Sequence, residues 1–363
     1  MVDKRFNSEK VIIPFSLSYI PMRKLGIINF EKRPDSIYTG LEPQYFNGGI
    51  HGKGYRVIAY RNDGYVDVYD DMDLNFIKDE NFDVAGKGLC ERKKVAMKDV
   101  IFEKRDTCIN ISFSFTDKHG RDIVVKVIEG SKKKTNGINL MAPIGSSTKK
   151  PSCLPLFFLY DFDFIRKYKT DVELTIDGKE IMQDNFIVPI PKDFQWRYYS
   201  RYSSDCHMIE FANAKNEVLK EHHPDSSGLV ILGDFEYEYD NSKLKKITLQ
   251  NSSHPLYIEF NLGYPNIQCL DQGTKYVDKF RIVSDDGMGY ISGDYFVTRN
   301  DDLVRIELTP SRGWTPVPNS MLTKVMFGKK SVFCNWPKSY MYIQNIDIKT
   351  LKSNSYWERI TKI

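Results

Sequence analysis

The stretch FNGGIHGKGYRVIAYRNDGYVDVYDD, residues Phe46–Asp71, decides how the chain is to be read. Its glycines and Lys53 invite a phosphate-binding loop. A GxxxxGK[ST] loop needs a glycine five residues before Gly52, where Asn47 stands, and a hydroxyl after Lys53, where Gly54 stands. A GxGxxG fingerprint beginning at Gly52 ends on Val57, and a strand pattern follows where a helix is required. Both nucleotide readings fail, and the stretch reads as a flexible approach to a β-hairpin. With Asp63-Gly64 as a two-residue turn, Tyr60 faces Asp67, Ala59 faces Val68, Ile58 faces Tyr69 and Arg56 faces Asp71. Tyr55, Val57, Ala59, Val66 and Val68 then form an apolar face. Arg56, Ile58, Tyr60, Asp67, Tyr69 and Asp71 form a mixed one, expected to meet solvent, with a polar cavity lined by Tyr60 and Tyr69 as the alternative.

The same period of two recurs along most of the 363 residues. YRVIAY, DVIFEK, CINISFSF, DIVVKVI, DVELTI, HMIEFA, DFEYEYD, KITLQ, LYIEF, DYFVTR and LVRIEL are separated by turn residues, with plain hairpin turns at Asn62-Asp63-Gly64, Lys118-His119-Gly120 and Asn300-Asp301-Asp302. This density predicts an all-β protein of sandwich or barrel type. The length suits two domains, divided in the VPIPKDFQW run as 1–190 and 191–363. One helix is expected near Met321–Phe333, where Leu322, Val325, Met326, Val332 and Phe333 recur at helical spacing. Asn319 or Ser320 is placed to cap it and Pro337 to stop it.

Composition narrows the partners. The formal charge of +4 comes from 52 basic and 48 acidic residues, with no long basic stripe, so nucleic acid is not an expected partner; SKKKTNG at 131–137 reads as a solvated loop. The longest apolar run, LPLFFLY at Leu154–Tyr160, is too short to span a bilayer, and the charged start MVDKRFNSEK is not a signal peptide. Six scattered cysteines without a CxxC pair suit reduced thiols and a cytoplasmic location. No metal, nucleotide or nicotinamide cofactor is expected, because the histidines lack ligand spacing: His222-His223 precede Pro224 in a loop, and His119 sits in a turn.

Candidate site residues are few. In SDCHMIEFA, His207 shares a strand face with Ile209 and Phe211, so it points inward, where burial lowers its pKa. A satisfied core histidine is the plain reading; a ligand or acid–base role is the alternative. In GDFEYEYDN the carboxylates Asp234, Glu236, Glu238 and Asp240 fall on one face and Phe235, Tyr237 and Tyr239 on the other, the pattern of a wet outer and an aromatic inner face. Trp196, Tyr198 and Trp314 are flat, amphipathic surfaces suited to an apolar or sugar ligand, although rim or core positions explain them equally. No GxSxG elbow or HExxH motif is present.

The hairpin GKGYRVIAYRNDGYVDVY, the tract ISGDYFVTRNDDLVRIELTPSRGW and the total length together resemble the two-domain lipocalin-like proteins that include the carotenoid hydratase (hydroxyneurosporene synthase) group. The resemblance implies two lipocalin-like β domains with an apolar ligand between or inside them. The expected function is therefore binding of a hydrophobic small molecule. The alternatives are a cofactor-independent lyase, hydratase or isomerase on that scaffold, and a carbohydrate-binding or carbohydrate-processing β-sandwich.

Overall fold

The structure is a computed structural model that describes residues 10–32, 35–48, 51–76, 85–106, 108–130, 137–141, 149–185, 191–285, 287–328 and 336–360. The chain is all-β, and the regular elements follow the alternation in the sequence. Among the described residues three large sheets carry the fold, beside a two-stranded one in which Val11–Ile12 pairs with Glu221–His222.

The first large sheet runs in the order Leu17–Ile20, Asp205–Phe211, Leu154–Arg166, Arg197–Ser203, Met22–Asn29, Tyr38–Asn47, Lys53–Arg61, Val66–Asp71, Leu89–Val95, with Ile138–Met141 added beside Leu154–Arg166. A five-stranded sheet, Lys179–Glu180, Thr170–Ile176, Asp122–Glu129, Cys108–Thr116 and Lys98–Arg105, covers part of it. Between them lies a sandwich core that includes Val57, Ala59, Tyr69, Ile111, Phe113, Val125 and Val127.

From Leu229 onward the chain is a meander: Leu229–Leu232, Phe235–Asp240, Lys243–Leu249, Tyr257–Tyr264, Lys275–Val283, Tyr290–Asn300, Leu303–Thr315, Tyr340–Asp347 and Lys352–Arg359, each antiparallel to the next. Asn216–Val218 closes the far side by pairing with Lys352–Arg359. The two outermost strands, Asn216–Val218 and Leu229–Leu232, do not pair with each other, so this sheet is open and is not a closed barrel. Phe235, Tyr237 and Tyr239 are buried while Asp234, Glu238 and Asp240 are exposed, as the alternation requires. The buried face is packed by the chain's own aromatics. Phe15, from the N-terminal segment, sits 5.2 Å from Tyr264 and 6.0 Å from both Phe260 and Tyr342, ring centre to ring centre.

Leu154–Arg166 ties the two halves together. Every residue from Leu154 to Tyr160 is buried, because the strand lies inside the first sheet with apolar matter on both faces. Leu156, Phe158 and Tyr160 belong to the core shared with the meander, and Ile165 belongs to the sandwich core. The expected division at residue 190 falls among residues 186–190, which lie outside the described set. Leu154–Arg166, before it, and Arg197–Ser203, after it, are hydrogen-bonded to each other, so the first sheet draws strands from both sides of that point.

The opening hairpin forms, but one residue out of the expected register. Arg61 N–H donates to Tyr65 O and Gly64 N–H to Arg61 O, both at 3.0 Å, and only Gly64 within the loop has positive φ, 88°. This is a three-residue loop, Asn62-Asp63-Gly64, with Gly64 in the left-handed position, and not a two-residue turn. Arg56 therefore faces Asp70, Val57 faces Tyr69, Ile58 faces Val68, Ala59 faces Asp67 and Tyr60 faces Val66. Tyr60 and Tyr69, expected on one face, lie on opposite faces. Neither face is wet: Ile58, Val66 and Val68 form a small core of their own, with Tyr60 against it. The helix begins as expected, with Ser320 capping Met321–Phe327 and Thr323 completing the capping box. Its C-cap is Gly328; residues 329–335, which hold the rest of the expected helix, lie outside the described set.

Candidate functional site

Strand register brings a polar group onto one face of the first sheet. Phe158 pairs with His207, Tyr160 with Asp205, and Tyr19 with Ile209. Side chains alternate, so Tyr19, Phe158, Tyr160, Asp205, His207 and Ile209 all share that face. Two segments of the meander lie against it: the turn before Tyr257–Tyr264, carrying His254, and the turn after Lys275–Val283, carrying Ser284 and Asp285. Tyr257 pairs with Val283, which holds these two turns side by side.

His254 links the halves. Its Nε2 lies 2.7 Å from Asp205 Oδ2 and its Nδ1 2.9 Å from Asp285 Oδ2. Its ring stacks on Tyr160, 3.5 Å between centres and 7° from parallel. Each ring nitrogen of His254 thus faces one carboxyl oxygen, and the tautomer of the ring sets which contact it donates. Tyr160 Oη is 2.6 Å from Ser284 Oγ, which in turn donates to Pro255 O at 3.0 Å. Burial raises the Tyr160 hydroxyl well above the ordinary tyrosine pKa, so it stays protonated.

His207 forms the floor. It is 1% exposed, its ring is 4.9 Å from Phe158, 5.7 Å from Tyr160 and 6.2 Å from His254, and Tyr19 meets it edge-on at 6.1 Å. Burial, and next the neighbouring His254, push its pKa down to about 3, so it is neutral at pH 7. Three buried polar atoms in this group have no hydrogen-bond partner: His207 Nε2, Tyr19 Oη and Asp285 Oδ1. Buried polar atoms are almost always satisfied, so three orphans in one contiguous group single it out. The rim is open to solvent: Tyr19, Asp205, His254 and Asp285 are half-buried around the buried His207 and Tyr160. The arrangement is a half-buried polar rim around a buried floor.

Of the residues singled out in the sequence, only His207 belongs to this group. Trp196 is 78% exposed just before Arg197–Ser203, and Tyr198 lies at the edge of the sandwich core beneath Lys167 Nζ. Trp314 is buried, its Nε1–H donating to Met288 O at 2.9 Å and its ring edge-on to Phe327. Tyr60 donates to the buried Glu42 carboxyl, and Tyr69 lies 2.7 Å, oxygen to oxygen, from Tyr38. The members missed, Tyr19, Tyr160, Asp205, His254, Ser284 and Asp285, come from three strands and two turns far apart in the chain. The only local signal was a histidine at the mouth of a strand, His254 before Pro255. Among the described residues no cluster of three or more His, Cys, Asp or Glu is arranged to hold a metal ion, and no helix is long and apolar enough to cross a membrane.

Compared with models of known protein families, with curated proteins and with solved structures, the chain matches none.

Proposed function

We propose that this protein binds a small, largely apolar molecule between Tyr19, His207 and His254, and moves a proton on it. The observation that carries this reading is the Asp205–His254–Asp285 group. Asp285 Oδ1 is a buried carboxyl oxygen with no partner, while its other oxygen is tied to His254 and through it to Asp205, which reaches solvent. A proton taken up at Asp285 has a route out by way of His254, which is what a general acid–base pair requires. Phe158 and Ile209 supply apolar surface on the same face. The reading favours an acid–base enzyme of the lyase, hydratase or isomerase type over passive carriage, because a carrier has no use for a relay that ends on an unpartnered carboxyl oxygen.

Native mass spectrometry of protein purified from its own host tests this. A bound small-molecule mass is expected on the wild type and is expected to be lost in His254→Gln, which removes the ring that bounds the binding place as well as the relay. A wild type free of any such mass, or an equal load on the variant, contradicts the proposal.

A further inference from the structure

The site holds two unpartnered groups besides Asp285, and their chemistry restricts what fits. His207 Nε2 and Tyr19 Oη are both buried without a partner, on neighbouring strands, with the Tyr19 ring edge-on to the imidazole at 6.1 Å. Both groups are neutral; Tyr19 donates through its phenol, and the Nε2–H tautomer of His207 gives a second donor. Arg23 is near enough to act on both electrostatically and favours negative charge there. Asp205, on the same strand face as His207, and Asp285, on the facing turn, disfavour a ligand that arrives already anionic. A cation is disfavoured by Arg23, and a wholly apolar ligand leaves two buried donors unpaired.

We infer that the molecule bound here carries an uncharged carbonyl oxygen, held by Tyr19 Oη–H and His207 Nε2–H, beside a carbon that bears an acidic proton. The inference rests on the proposed acid–base function and names its substrate class: a ketone, or another carbonyl compound with a hydrogen on the adjacent carbon. Asp285 Oδ1 takes that proton. The C–H electron pair becomes the new C=C bond and the carbonyl π pair moves onto oxygen, giving an enolate. The two donors and Arg23 stabilise this charge more than they stabilise the neutral carbonyl, which is the condition for catalysis. Return of the proton from Asp285 to the opposite face of that carbon gives an epimer, and where a further C=C is conjugated with the enolate its return to the γ-carbon gives a double-bond isomer; neither needs a redox partner.

An enolate mimic tests the oxygen site without knowledge of the natural substrate. 4-Nitrophenol is titrated into the protein at a pH where most of it is neutral in free solution, with the phenolate absorbance as readout. Growth of the phenolate band on binding to wild type is expected, with affinity about tenfold weaker for Tyr19→Phe and for His207→Gln, the effect of one lost hydrogen bond to a charged oxygen. Equal binding to wild type and Tyr19→Phe, with both proteins melting alike, overturns the inference. So does absence of a phenolate band. If 4-nitrophenol fails while the wild type still carries a small-molecule mass that His254→Gln loses, the oxygen site is wrong and the proposed function stands. If both measurements fail, both are wrong.

Discussion

Phe158→Ala is expected to lower the unfolding free energy by about 3–5 kcal/mol, the range for emptying a fully buried aromatic position. Phe158 is wholly buried in the central strand Leu154–Arg166, pairs across to His207 and packs its ring 4.9 Å from that imidazole. The neighbours cannot collapse into the space, because the strand is flanked within its own sheet and covered by the meander. Urea unfolding gives the measurement. The midpoint should fall with an unchanged slope, since the same surface is exposed on unfolding. A loss below about 1 kcal/mol means that the strand is not covered on both faces and that the floor of the site is looser than described.

The second large effect is on acid stability. His207 has a folded-state pKa of about 3, against about 6.5 in the unfolded chain. Above pH 6.5 neither state holds the proton and the neutral imidazole contributes no pH dependence. Between pH 6.5 and 3 the unfolded chain binds a proton that the folded one refuses, so stability falls as pH falls through that window. The loss from this residue is about 2 kcal/mol at pH 5. His207→Gln removes the titrating group. Unfolding of both proteins at pH 7 and pH 5 should therefore show the wild type losing about 2 kcal/mol more than the variant over that interval. Parallel losses contradict the burial of a neutral imidazole.

Much of the fold was legible because period-two alternation is local. DFEYEYD shows it at its plainest: each aromatic is inside and the intervening Glu238 and Asp240 are outside. The run LPLFFLY had no alternation because neither of its faces is wet, and it is the strand that joins the cores. The helix start at Ser320 was legible for the same local reason, a capping residue with Thr323 in reach. The hairpin register was not, because Asp63-Gly64 fits both a two-residue turn and the last two positions of a three-residue loop. That single step exchanged the partners of Arg56 and sent Tyr60 and Tyr69 to different faces. The site was legible only through His207, whose strand pattern pointed it inward. His254, Asp205 and Asp285 meet through pairing between strands distant in sequence, and no spacing in the chain records that pairing. Trp196 and Trp314 were chosen for their chemistry alone. Tertiary packing then left one at the surface and enclosed the other.

A neutral His207 with its Nε2 unpartnered underlies the site, and the most direct test is the protonation of that ring. Histidine ring nitrogens labelled with 15N, followed by NMR from pH 8 to 5, report it residue by residue. His207 is expected to stay neutral throughout, because its pKa lies near 3. Titration of His207 at or above about 6.5, the value of an unperturbed imidazole, contradicts it.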